Sequence, residues 1–276
     1  MHGTSLTILV PSSLVREAED GREATRKLGY VARAATLFRA DRLVVFPDRE
    51  GESGRGGEFV RSVLGYATTA PYLRQAVWDR RDELRHVGVL PPLLPDRSGP
   101  DGSELRDGIV TEVGPDDRVR VNCGLDPQHP ISLRAPGRDV SEGERVTVSV
   151  SSREPVRAKL VDEAVGVRVT GADLQATLAE ADATIAASRY GTALSVSGLA
   201  GLPDALGDPE SVAVAFGAPT RGLPAILDGM ADEATGVDPA ATPFDRWLNT
   251  VPEQGSEVVR TEEAMIATLG PLRLPP

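Results

Sequence analysis

Asn249-Thr250-Val251-Pro252-Glu253-Gln254-Gly255-Ser256-Glu257-Val258-Val259-Arg260-Thr261-Glu262-Glu263-Ala264 follows an apolar stub, Trp247-Leu248. It leads into a helical run, Ala264-Met265-Ile266-Ala267-Thr268-Leu269, expected to end at Gly270-Pro271. The stretch reads as a loop between a strand end and a helix start, with Pro252 and Gly255 in its turn. Such a loop gathers backbone N–H groups into one small space and suits a polar ligand. Taken alone it is an ordinary connection closed by a capped helix. Its neighbours in the chain give it a further meaning.

Working outward, the first ninety residues alternate strand and helix. Ser5-Leu6-Thr7-Ile8-Leu9-Val10-Pro11 is a β-type run, and Ser12-Ser13 offer hydroxyls that would cap a following helix. Leu28, Val31, Ala32, Ala35 and Phe38 recur at three- and four-residue steps, which predicts a helix over 24–38. Leu43-Val44-Val45-Phe46 is a fully apolar strand, and 58–68 a second helix. The same alternation returns after residue 165, with strands at 165–169, 183–188 and 211–216, and helices at 172–181 and from Leu223. Residues 196–206 are poorly periodic. Apolar strands alternating with helices predict a parallel sheet covered on both faces.

Residues 104–160 differ. Five short alternating strands (108–113, 118–121, 130–133, 145–150 and 156–160) are separated by turn residues, which predicts a small OB-like β-barrel. Leu90-Pro91-Pro92-Leu93-Leu94-Pro95 marks the boundary. The expected organisation is therefore an α/β domain in two parts, 1–94 and 161–276, interrupted by a β-barrel at 95–160.

The 276 residues carry a net charge of −11, and Lys27 and Lys159 are the only lysines among 30 basic residues. An acidic surplus with almost no lysine suggests a protein kept soluble in concentrated salt, so its thermal midpoint is expected to rise from dilute buffer to molar KCl. The total charge argues against nucleic acid, but arginine clusters argue the other way. Residues 71–86 interleave four arginines with Tyr72 and Trp78 and also with Asp79, Asp82 and Glu83. This is either an RNA-binding segment or a solvated helix face. Arg118, Arg120, Arg134, Arg138, Arg153, Arg157 and Lys159 would give the barrel a basic face, but it has no aromatic ring to stack a base, so it is either a nucleic-acid-binding or a merely structural insert. Arg39, Arg74, Arg118 and Arg120 are the candidate RNA contacts.

A single cysteine, Cys123, excludes an internal disulfide framework and fits a cytoplasmic location. His2, His86 and His129 are scattered, so no metal site is expected. No apolar run reaches membrane-span length. The glycine-rich 51–57 segment lacks the Gly-Lys-Ser/Thr ending of a P-loop. No Ser/His/Asp triad forms, because the histidines fall outside the strand-ending loops. Those loops are 188–191, 216–222 and 249–255. In open α/β sheets ligands bind beyond the carboxyl ends of the strands, so the three would share one pocket if their strands are neighbours.

These residues resemble the SPOUT superfamily of RNA methyltransferases, and more narrowly its archaeal and eukaryotic branch of RNA uridine methyltransferases with an OB-like insert. Gly29-Tyr30-Val31-Ala32-Arg33-Ala34-Ala35-Thr36-Leu37-Phe38 is similar to the motif Asn-x-Gly-x-x-x-Arg-x-Ala-x-x-Phe, with Lys27 in place of Asn. Phe216-Gly217 through Gly222-Leu223 is similar to the second motif, without its usual acidic residue. Val251-Pro252 through Ala264 is similar to the third. Leu90-Pro91-Pro92-Leu93, Asn249-Thr250-Val251-Pro252-x-Gln254-Gly255 and Arg260-Thr261-Glu262-Glu263-Ala264 are characteristic of the narrower branch.

The resemblance implies a trefoil-knotted parallel-sheet domain, a homodimer with shared sites, and S-adenosylmethionine as cofactor. The cofactor would be held by Ser188, Arg189, Tyr190, Phe216, Gly217, Ala218, Gly222, Asn249, Val251, Pro252, Gln254, Gly255, Val258, Val259 and Thr261. It assigns Arg33 to the reacting base or its phosphate, and implies methylation of a base, uridine first, in ribosomal or other structured RNA. The rival expectation is a non-catalytic RNA-binding protein that keeps the SPOUT fold.

Overall fold

The computed structural model describes residues 4–93, 95, 98–99, 101–126, 129–135, 137–162, 165–195, 197–198, 201, 206–227 and 243–273. They group into two compact units. One comprises 1–68, 82–93 and 167–276; the other comprises 69–81 and 94–166.

In the first unit, β1 (Ser5–Pro11), α1 (Gly21–Leu37), β2 (Arg42–Phe46) and α2 (Gly57–Thr68) alternate as the apolar spacing predicts. Ser12 and Ser13 do not cap α1. Their hydroxyls are buried against Asp48, and the Asp20 side chain accepts from the Glu23 N–H instead. Asp20 sits one residue before the helix, where a carboxylate also meets the positive end of the helix dipole.

The second unit holds α3 (Arg74–Val77) and five strands: β3 (Glu104–Val113), β4 (Arg118–Asn122), β5 (Ile131–Arg134), β6 (Arg145–Arg153) and β7 (Val156–Val161). They form a nearly closed antiparallel sheet in the order β5-β4-β3-β6-β7 around Val119, Val121, Leu133, Val148 and Leu160. Cys123 lies in this core, where burial pushes its thiol pKa up, so it is a packing residue and not a nucleophile.

The 71–86 segment is not one helix face. It breaks into two short 3-10 turns and α3, and its rings are already engaged. The Tyr72 hydroxyl donates to the Asp107 carbonyl under the Arg106 guanidinium, and Trp78 Nε1 donates to Thr69 Oγ1. Arg74 Nε is turned to the Thr69 carbonyl. Arg120 faces Glu112 at 3.5 Å, while Arg118 is exposed opposite Arg134.

After β8 (Arg168–Gly171), displaced from the expected 165–169, the first unit resumes. It continues with α4 (Leu174–Leu178), β9 (Ala183–Ala193), β10 (Ser211–Phe216), α5 (Leu223–Ile226), β11 (Arg246–Asn249) and α6 (Thr261–Leu272). Most of the poorly periodic 196–206 segment, and the chain after Leu227 up to 242, lie outside the described residues.

The six strands pair in parallel in the order β11-β9-β10-β1-β2-β8. Ile185, Val214, Ile8 and Leu43 stand abreast across four of them, each fully buried. The next row, Ala186, Ala215, Leu9 and Val44, belongs to the opposite core with Leu174, Leu178 and Trp247. Both faces are dry, which is why these strands are continuous apolar runs.

Two sequence features that looked separate are one contact. A Cβ on Gly29 of α1 would sit 2.5 Å from Pro91 Cδ and 3.0 Å from Leu90 Cδ2. Glycine lets the Leu90-Pro91 segment lie directly on the helix. No helix among the described residues is long and apolar enough to cross a membrane.

Candidate cofactor cleft

The sheet order makes β11, β9 and β10 neighbours, so their carboxyl ends open on one space. A cleft of about 310 Å³ lies there, within the range small-molecule sites occupy. It is lined by Ser188, Arg189, Tyr190, Phe216, Gly217, Ala218, Gly222, Asn249, Val251, Gln254, Val258, Val259 and Thr261. Pro252 and Gly255 share the third loop but do not line the cleft, and a Cβ on Gly255 would meet open space. Ala187, Thr220, Thr250, Glu257 and Ala264 also line it, although they are not among the residues the family resemblance assigns to the cofactor. No cluster of metal-ligating side chains occurs among the described residues.

The first wall is not a loop, as expected, but a bulge within a strand. β9 pairs with β11 at Ala186↔Trp247 and again at Thr192↔Leu248, so residues 187–191 have no ladder partner on β11. Gly191 makes this possible: a Cβ there would lie 2.6 Å from the Leu248 N and 2.7 Å from the Trp247 carbonyl carbon. The second wall is a tight turn in which Ala218 N–H donates to the Arg221 carbonyl and Arg221 N–H to the Ala218 carbonyl, with Thr220 at φ +62°. The third wall is anchored by Trp247, which packs edge-on to Phe244, and by Asp245, which accepts from both the N–H and the hydroxyl of Thr184 on β9.

Hydrogen bonds join the walls. Asn249 Nδ2 donates to the Arg189 carbonyl at 3.1 Å, while its Oδ1 accepts from the Val251 N–H. Thr261 Oγ1 donates to the Gly217 carbonyl at 3.0 Å, and Thr250 shares a hydroxyl hydrogen bond with Thr268. Helix α6 thus braces both the second and third walls. It runs through Gly270-Pro271 to Leu272 and does not stop before them. A proline in the last turn forfeits only one ladder bond, and the Arg273 side chain ties the end to the carbonyls of Thr4, Phe38 and Arg39.

Glu262, at the start of α6, packs in a small closed space with Leu14, Glu17, Lys27, Val31 and Pro219. Burial pushes its carboxyl pKa up, against the nearby positive charge of Arg260 and Lys27 and aided by Glu263. A carboxyl raised in the folded state adds stability below its ordinary pKa and loses it as pH rises through the raised value. Glu262→Gln is therefore expected to melt with the wild type in acid and about 2 °C above it at neutral pH, read by thermal melts across pH. Lys27, which stands where the resembling motif has Asn, is held by Glu17 at 3.0 Å and Glu23 at 3.2 Å.

Arg33 is elsewhere, exposed on α1, with no side-chain partner among the described residues. Tyr30 and Leu37, at 44% and 62% exposure, flank it on the same helix face. Arg39 is exposed beyond the end of α1 with φ +51°.

A parallel sheet with a cleft at its carboxyl edge and a second unit built on a nearly closed antiparallel sheet occur here in a chain with clear similarity to known proteins. The model of the family described as "Putative RNA methyltransferase" matches residues 5–272, and the chain belongs to that family. It is 58% identical to an uncharacterised protein of Halobacterium salinarum, over 97% of this chain and 98% of that protein. It is 57% identical, with the same coverage, to one of Haloarcula marismortui. It is also 30% identical to the human 28S rRNA (uridine-N(3))-methyltransferase, over 98% of this chain and 78% of the human protein.

Proposed function

We propose that this protein methylates a uridine base of ribosomal RNA, at N3, using S-adenosylmethionine bound in the cleft between β9, β10 and β11. The observation that carries the reading is the cleft itself: residues from three separate stretches meet at the carboxyl ends of adjacent parallel strands. Its floor is apolar (Ala187, Phe216, Val251, Val258), which suits an adenine ring. Its hydroxyls and amides suit a ribose, and Arg189 and Glu257 are its only charged lining residues among the described residues. One charge of each sign matches a ligand that carries both a carboxylate and cationic groups. The human relative's name supplies the nucleotide and the atom.

When bound, S-adenosylmethionine supplies an already activated methyl group. The chain's own task is then to align the base nitrogen with it and to stabilise the base as its proton leaves. Arg33 is assigned to that second role, beside O2 or O4 of the pyrimidine. Because Arg33 does not line the cleft of its own chain, the reading includes a homodimer in which Arg33 serves the partner's cleft. The exposed Tyr30, Leu37 and Ile266, on helices α1 and α6, which pack together, support an interface there. We further read the barrel as an OB-like insert, since β5 returns beside β7 to close the order β5-β4-β3-β6-β7. We read the α/β unit as a trefoil-knotted SPOUT domain.

Calorimetric titration tests the central claim. Micromolar binding of S-adenosylmethionine is expected. No binding at millimolar ligand would instead leave a non-catalytic RNA-binding protein.

A further inference from the structure

A second polar cluster sits at the same edge of the sheet, beside the cleft and not in it. Asp48 follows β2 and is 5% exposed. Its carboxylate receives the Ser13 hydroxyl, and its N–H donates to Ser12 Oγ at 2.8 Å, both serines following β1. Arg221 reaches it from the turn after β10. Nε lies 3.0 Å from Oδ2 and 3.3 Å from Oδ1, Nη2 lies 3.2 Å from Oδ1, and Nη2 also approaches Glu50 at 3.4 Å. A Cβ on Gly51 would overlap the Asp48 carboxylate, so the chain closes tightly over it. The ends of three adjacent strands, β10, β1 and β2, are thus tied through one carboxylate.

Such a pair needs a reason. Burying a carboxylate and a guanidinium costs desolvation that their attraction only roughly offsets, so the pair is weak support for stability but fixes geometry well. What it fixes here is the cleft's second wall. Gly217, Ala218, Thr220 and Gly222 line the cleft, while Arg221 points away from it into the cluster. That turn has two glycines and a residue at positive φ, a composition that leaves it many conformations unless it is held. Its other anchors are the apolar Phe216 and Leu223 at its two ends, the buried Ala218 and Pro219, the reciprocal Ala218–Arg221 backbone bonds and the bond from Thr261 to the Gly217 carbonyl.

We propose that Arg221 and Asp48 form a positioning clamp that pre-sets the second cofactor-binding turn, with Ser12 and Ser13 fixing the Asp48 carboxylate. The clamp touches neither cofactor nor base. It acts by sparing the ligand the work of ordering the turn. The inference rests on the proposed cofactor cleft for its purpose, though not for its effect on the turn.

The test uses full-length Arg221→Lys, which keeps the charge but loses the two-pronged geometry, and Asp48→Asn. Two readouts are taken: amide hydrogen exchange at Ala218 and Arg221 without ligand, and the Kd for S-adenosylmethionine. In Arg221→Lys, exchange at those two amides is expected to quicken at least tenfold and Kd to rise at least tenfold. Exchange at Leu194, whose N–H donates to the Asn249 carbonyl, and at Val251 in the third wall should stay within twofold. Arg221→Lys carries the test if Asp48→Asn does not fold, because the Asp48 carboxylate keeps its serine partners in that variant. A folded Arg221→Lys protein whose exchange at Ala218 and Arg221 stays within twofold of wild type overturns the clamp. So does a loosened turn with unchanged cofactor affinity. A wild type that binds no cofactor overturns the methyltransferase reading, and the exchange readout then decides the clamp alone.

Discussion

Gly217→Val is expected to weaken S-adenosylmethionine binding at least a hundredfold and to cost about 2 kcal/mol of stability. A Cβ at 217 would lie 2.8 Å from Gly222 Cα, 2.9 Å from the Leu223 N and 3.0 Å from the Arg221 carbonyl oxygen. All three are backbone atoms, so no side chain can rotate away to relieve the overlap. The turn must open. Opening it moves the Gly217 carbonyl from Thr261 Oγ1 and shifts the residues that form the second wall. Gly255→Ala is the control. Nothing lies within 4 Å of the position its Cβ would take, and its cofactor affinity is expected to match wild type within threefold. Calorimetric titration and a thermal melt of both variants check the contrast. A Gly217→Val protein that binds cofactor as Gly255→Ala does would show that the turn is no part of the site.

That contrast also marks what could be read in the sequence. Both glycines lie in stretches singled out as ligand loops, but only the three-dimensional neighbours distinguish a crowded glycine from a free one. The strands were legible for a local reason. A strand dry on both faces must be a short apolar run, as Leu43 to Phe46 is, and a barrel strand must alternate, as Arg118-Val119-Arg120-Val121 does. Features that depend on a distant partner were not legible. The bulge at 187–191 is set by β11, some sixty residues further on, and sequence alone presents it as a loop. Ser12 and Ser13 look like helix caps until Asp48 is placed beside them. Arg221 looks like a solvated loop arginine until its carboxylate partner, 173 residues away in the chain, is known. Tyr72 and Trp78 looked free to stack bases, yet each is held by contacts within its own unit. The same limit applies to the charge. The net of −11 and the scarcity of lysine are visible at once, whereas the pairing of Arg120 with Glu112 is not.

Arg33→Ala is expected to lower the rate of RNA methylation by about 10²- to 10³-fold, the usual loss when one preorganised charge is removed from a developing anion. The cofactor Kd should not change, since Arg33 does not line the cleft. Stability should change little as well, because the side chain is exposed and has no partner among the described residues. Arg33 has no counter-charge among the described residues and is set between the exposed Tyr30 and Leu37 on one helix face. In the proposed homodimer it is presented to a second copy of the chain. Leu37→Glu, which puts a carboxylate into that apolar stripe, is then expected to convert dimer to monomer in sedimentation at micromolar protein and high salt. It should reduce methylation as far as Arg33→Ala does while leaving the cleft able to bind cofactor. If Arg33→Ala methylates RNA as fast as wild type, the role assigned to the guanidinium is wrong. A wild type that sediments as a monomer would remove the shared site altogether, and Arg33 would then have to reach the base within its own chain, from a helix face that the cleft does not include.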